Sequence, residues 1–147
     1  MLKKFVFAFL LALIVDQIVK ILIVGGLRWN SECISIVYVL NDGVAFSMFA
    51  FLKEYLKYFQ IVVILGMLVY LYRENYFTIY SIEIGMIFGS GISNLIDRFT
   101  RGGVVDYVYW HCWFDFAIFN LADILIDVGI VSLILRVYIA SRSVSIE

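Results

Sequence analysis

Asp16, Lys20, Glu83, Asp123 and Asp127 each lie inside a run of residues otherwise apolar enough to cross a lipid bilayer. No feature limits the fold more. A charged side chain near the middle of a membrane helix costs about 2.5–3.5 kcal/mol on insertion scales. A chain that accepts this cost repeatedly must turn those groups toward one another. The apolar runs span about 5–24, 55–72, 77–96 and 116–139, each close to the ~20 residues a spanning helix needs. With 64% hydrophobic and 16% charged residues in 147, the chain falls outside the soluble range. The expected class is an all-α membrane protein, a bundle of four transmembrane helices forming a single domain over residues 1–147.

The N-terminal stretch MLKKFVFAFLLALIV has the look of a cleavable leader, but no small-x-small site follows it and the apolar run resumes to Val24. It is read as a retained first span. The longer breaks, about 25–54 and 97–115, look ordered. "CISIVYVLNDG" is β-branched and ends in a turn signal, and "GGVVDYVYW" reads as a turn and a strand, with Val104, Asp106 and Val108 on one face. A small β-rich subdomain at one membrane surface follows. Lys3 and Lys4 place the N-terminus inside. Four spans then bring the C-terminus to the cytoplasmic side and both long breaks to the outer side, although Arg28, Lys53, Arg98 and Arg101 fall there too.

Helical spacing sorts the polar residues into faces. Asp16 and Lys20 are four apart and form an ion pair turned into the bundle. Glu83, Ile87, Ser90, Asn94 and Asp97 share one stripe, and Gly85 and Gly89 allow close helix approach. Asn120, Asp123 and Asp127 share another, with Asp127 a buried supporting partner. Asp97, Asp106, Asn120 and Asp123 then gather at the outer surface, whereas Asp115 is a solvated loop charge. The lone histidine, His111, argues against nucleophilic triads and histidine-rich metal sites. A carboxylate site for Mg²⁺ or Mn²⁺ stays open, but no cofactor is expected. The economical chemistry is two carboxylates acting on water, one protonated and one ionised. Asp106 and Asp123 are the best-placed pair. Cys33 and Cys112 lack metal-type spacing and read as plain thiols; whether they pair stays open. The net charge of −1 gives no sign of a nucleic-acid partner.

Five motifs occur in order: DQIVK (16–20), NDGVAFS (41–47), SNLIDR (93–98), GGVVDY (102–107) and FNLAD (119–123). Together they resemble bacterial lipoprotein signal peptidase, signal peptidase II. The resemblance implies a membrane aspartyl protease of the bacterial inner membrane. It removes signal peptides from prolipoproteins, cutting before a cysteine that carries a diacylglyceryl group, among membrane lipids near the outer face. The implied dyad is Asp106 and Asp123. The supporting residues are Asp16, Lys20, Asn41, Gly43, Asn94, Asp97, Arg98, Asn120 and Ala122. Asn41, Asn94 and Asn120 are expected to orient the dyad or substrate, and Arg98 to pair with an acidic neighbour. The segment from Asn41 through Phe46 and Phe49 is expected to cover the scissile bond, with Gly43 as its hinge. Ser93 departs from the family's glycine and is expected to loosen helix approach; Asp42 adds a charge near the entrance. The alternatives are a small proton- or ion-coupled transporter using the same carboxylates, and a structural subunit of a larger complex.

Overall fold

The structure, a computed structural model, describes residues 2–43 and 55–144. The elements run α1 (Leu2–Val24), β1 (Trp29–Asn30), β2 (Ile34–Asn41), α2 (Leu56–Arg73), α3 (Tyr76–Ile79), α4 (Ser81–Thr100), β3 (Val104–Trp110) and α5 (Leu121–Val144). The protein is mostly helical with one small sheet. Among the described residues, three helices, α1, α2 and α5, are long and apolar enough to cross a membrane, and they leave most of their apolar side chains exposed. Such faces are stable only against lipid. The protein is a multi-pass membrane protein.

The fourth long helix, α4, differs in kind. It buries the whole stripe Glu83, Ile87, Ser90, Asn94 and Asp97 and is the element on which the others assemble, packing most closely against α1 and α5. The contact with α1 depends on glycine. A Cβ on Gly85 would lie 2.6 Å from the Phe5 carbonyl oxygen, and one on Gly89 would overlap that of Phe9. Removing both side chains brings the backbones close enough for polar groups of the two helices to meet. Below that meeting point, Ile84, Phe88, Leu71 and Tyr80 form an apolar core with Phe5 and Phe9 from α1.

Two expected boundaries move. The run expected over 77–96 is broken at Tyr80, after the short α3, and the long helix occupies Ser81–Thr100. The run expected from 116 begins as a helix only at Leu121. Residues before it serve the sheet instead: Phe119 forms an isolated bridge with Val108, its carbonyl accepting the Tyr107 and Val108 amides. Backbone groups committed to a strand cannot also begin a helix, so α5 starts after them.

The sheet is antiparallel in the order β1–β2–β3. β1, two residues long, was not foreseen. β2 and β3 pair from Ile34 opposite Trp110 to Asn41 opposite Val104, with a shift of register between Ile36 and Val39. Gly102, at φ +81, makes the turn into β3, and a Cβ on Gly103 would strike the Asn41 carbonyl oxygen at 2.8 Å. At the other end, Cys33 and Cys112 form a disulfide, settling the open question of their pairing. Cys33 lies one residue beyond Ile34 and Cys112 two beyond Trp110, so the bond closes that end of the sheet.

Candidate active site

The polar residues of α1 and α4 meet in a dry cluster. Lys20, with no exposed surface, reaches the Asp16 carboxylate at 2.7 Å, the Asp97 carboxylate at 2.9 Å and Asn94 Oδ1 at 2.7 Å. An ammonium has three donors, and these three partners use them all. Ser93 Oγ donates to Asp16 Oδ2 at 2.6 Å and accepts from Gln17 Nε2 at 2.9 Å. Its hydroxyl is thus part of the α1–α4 junction rather than a spacer that loosens it. Asp97 also accepts from Gln17 and pairs with Arg101. The cluster therefore holds two carboxylates against two cations.

Each of those carboxylates also holds the backbone: Asp16 through its second oxygen, Asp97 through the oxygen it shares with Lys20. Asp97 Oδ2 accepts the Val105 amide at 3.1 Å, and Asp16 Oδ1 accepts the Ala122 amide at 3.0 Å. Val105 and Ala122 are the residues immediately before Asp106 and Asp123. The inner cluster thus fixes the backbone one step ahead of both candidate acids. Ala122 has no exposed surface, so a larger side chain has no room there.

Asn120 joins the two acids. Its side-chain Nδ2 donates to Asp106 Oδ1 at 2.7 Å, its backbone amide donates to Asp123 Oδ2 at 3.1 Å, and its Oδ1 accepts the Asp123 amide at 3.0 Å. The last two bonds form a reciprocal cap on the first turn of α5, of the kind made by a capping box. Asn94 Nδ2 donates to Asp123 Oδ1 at 3.0 Å, and Asn41 Nδ2 donates to Asp106 Oδ2 at 2.8 Å. The reach of Asn41 follows from register: Asp106 stands opposite Val39, and Asn41, two residues on, is its diagonal neighbour on the same face. Tyr107, absent from the sequence-based set, accepts the Leu121 amide on its hydroxyl at 3.0 Å and so also holds the start of α5. Burial raises the pKa of that hydroxyl and keeps it protonated.

Asp106 and Asp123 line a cleft of about 600 Å³ between α2 and α5, with Asn41, Asn94 and Arg98. Burial pushes the Asp106 carboxyl from its ordinary 3.8 to about 6; the Asn41 and Asn120 amides oppose this, and the Asp123 charge adds to it. A carboxyl with this pKa exchanges protons near neutrality. Among the described residues, all four carboxylate oxygens accept only from neutral amides. Among the described residues, no group of three His, Cys, Asp or Glu is placed to hold a metal ion.

Several expectations change. Among the described residues, Arg98 does not pair with an acid. It donates to Gln60 Oε1 at 2.9 Å and to the Gly43 carbonyl at 2.8 Å, joining α4 to α2 and to the end of β2. Arg101, one turn after Asp97 on the same helix face, takes the acidic partner instead. Gly43 is buried, its amide bound to Asn41 Oδ1 at 2.9 Å. The covering segment with Phe46 and Phe49 lies outside the described residues. Asp127 is exposed rather than buried, on the wall of the cleft. Asp115 is exposed and accepts the Tyr109 hydroxyl. Gln17 and Gln60 also escaped the sequence reading, although a glutamine within an apolar run is a signal of the same kind as an aspartate.

The comparisons agree with one another. The family model described as signal peptidase (SPase) II matches residues 8–139. The lipoprotein signal peptidase of Helicobacter acinonychis is 53% identical over 133 residues, covering 90% of this chain and 85% of the relative. That of Wolinella succinogenes is 50% identical over 123 residues, covering 83% and 84%. That of Campylobacter jejuni is 46% identical over 138 residues, covering 90% and 88%. The fold matches a solved bacterial membrane enzyme with a TM-score of 0.82 at 24% identity, covering 96% of this chain and 91% of the other. With its motifs, its fold and its close relatives in accord, the chain belongs to the signal peptidase II family.

Proposed function

We propose that Asp106 and Asp123 are the catalytic pair of a membrane aspartyl endopeptidase. Membership of the family makes the reaction the removal of signal peptides from prolipoproteins. The observation that carries the two-aspartate reading is Asn120, one buried side chain that fixes both carboxylates beside an open cleft. Water held between the acids adds to the scissile carbonyl carbon. The ionised carboxylate takes the water proton, and the protonated one gives its proton to the carbonyl oxygen. Collapse of the tetrahedral species breaks the C–N bond, and the leaving amine takes a proton from the pair. The products are a new carboxylate on the signal peptide and a new amine on the lipoprotein. Asn41, Asn94 and Asn120 hold the acids in place; Asp16, Lys20 and Asp97 hold the backbone that carries them.

The same reading places the chain as one domain in the bacterial inner membrane. It crosses four times, with α4 as the crossing shielded from lipid by α1, α2 and α5. Both termini are cytoplasmic, and the sheet and dyad lie at the outer face. At about 1.5 Å per residue, the 20 residues of α4 reach about 30 Å, the thickness of the hydrocarbon core. The bond cut precedes a cysteine bearing a diacylglyceryl group, whose acyl chains stay among membrane lipids beside the cleft. A transporter's ion path finds no support, because family and relatives alike are peptidases. The test is purified protein incubated with a lipid-modified prolipoprotein. Asp106→Asn and Asp123→Asn should each abolish cleavage while the protein still inserts, and near-normal turnover by either variant would sink the assignment. An unmodified prolipoprotein tests the need for lipid.

A further inference from the structure

Within the long helices, every acidic side chain but one has a partner. Asp16 and Asp97 face Lys20, Glu83 pairs with Arg136, and Asp123 is held by Asn94 and Asn120. Asp127 has no hydrogen-bond or ionic partner among the described residues and stands exposed on α5, one turn beyond Asp123. An apolar helix that faces lipid has no use of its own for an uncompensated carboxylate at that position.

Its location suggests what compensates it. Asp127 lines the cleft that holds the dyad. It also lines a second hollow of about 510 Å³ along α5, walled by Val128, Val131, Ser132, Leu135 and Arg136. A chain running from the first hollow into the second must pass it. A signal peptide cut near the outer face runs inward from the scissile bond, so its N-terminal side takes that path. Where it is extended near the cut, its amides would lack helical partners beside lipid.

Resting on the two-aspartate reading above, we propose that Asp127 binds the signal peptide by accepting a backbone N–H on the N-terminal side of the cut. The four residues from Asp123 to Asp127 rise about 6 Å and an extended chain advances about 3.3 Å per residue, so the amide lies about two residues before the scissile bond.

The experiment uses purified full-length protein and lipid-modified prolipoprotein peptides, including three in which an ester replaces the amide one, two or three residues before the cut. Asp127→Leu should lower kcat/KM about tenfold, mainly through KM, as expected for loss of a hydrogen bond to a charged group. It should unfold at no lower temperature, because leucine suits a lipid-facing position. Asp127→Asn, which keeps an acceptor, should recover most of the loss. One ester should slow the unaltered enzyme about as much and leave Asp127→Leu unaffected. Normal kcat/KM for Asp127→Leu overturns the proposal. So does an equal loss in both proteins on every ester, or a fall confined to kcat in both variants. Asp123→Asn, run alongside, separates the two readings: if it is active, the catalytic assignment fails, whereas an active Asp127→Leu beside an inactive Asp123→Asn defeats this inference alone.

Discussion

Two pairs of carboxylates lie within a few residues of each other in this molecule, and they are treated oppositely. Asp16 and Asp97 are sealed from solvent and matched by Lys20 and Arg101. Asp106 and Asp123 border a cleft and, among the described residues, receive only neutral amides. Burial next to a cation ties a carboxylate into the scaffold through paired contacts. Burial next to amides fixes its position but leaves its proton negotiable. The first pair builds, and on the proposed two-aspartate mechanism the second pair reacts. The two are joined through the Val105 and Ala122 amides, so the structural pair sets where the reactive pair stands.

Substitutions should separate these roles. The largest loss of turnover is expected from Asp106→Asn, on the order of 10³-fold or more. Its thermal stability at neutral pH should not fall. The folded carboxyl, with a pKa of about 6 against 3.8, holds its proton more tightly than the unfolded one, so its ionisation destabilises the fold progressively as pH rises between those values. An asparagine escapes that penalty. Thermal unfolding in detergent, beside the activity assay, checks both halves.

Lys20→Met should do the reverse. It leaves two buried carboxylates without their shared cation, and breaking a buried pair in this way costs about 3–5 kcal/mol. Denaturant unfolding should show the loss directly, with activity falling because the fold fails. Asn41→Ala removes an amide that favours the ionised Asp106, so the carboxyl's pKa rises further. The pH–rate limb reported by the acid pair should move up by about one pH unit. Protein lacking the limb shift would show that Asn41 does not tune the pair. The smallest effect on turnover belongs to Cys33→Ser with Cys112→Ser. The disulfide closes the end of the sheet away from Asn41 and Asp106, so cleavage should stay close to normal while stability drops by about 2 kcal/mol.

Much of this was legible in the sequence, for a physical reason. Charges in an apolar run must be compensated, so helical spacing alone predicted that Asp16 meets Lys20 and that the stripe from Glu83 to Asp97 faces inward. The motifs added Asn41, Asn94 and Asn120, which the fold brings to the acids. What escaped depends on details that periodicity does not encode. Phe119 looks apolar enough for a helix, but its backbone is taken by β3. Arg98 and Arg101 lie three apart near one helix end, and which of them reaches Asp97 is decided by what stands opposite, here Gln60 and the Gly43 carbonyl. Asp127 has the spacing of a buried residue, but it stands on the open wall of the cleft.

The cap that begins α5 is made from the atoms of the site. Asn120 and Asp123 satisfy each other's amides, and the same two side chains position the dyad. Fraying of that first turn would take the acids apart, and a completed turn delivers them already aligned. Assembly of the helix and alignment of the two acids are therefore one event, and on the proposed mechanism protection of the Asp123 amide from hydrogen exchange would report the fraction of molecules able to cut.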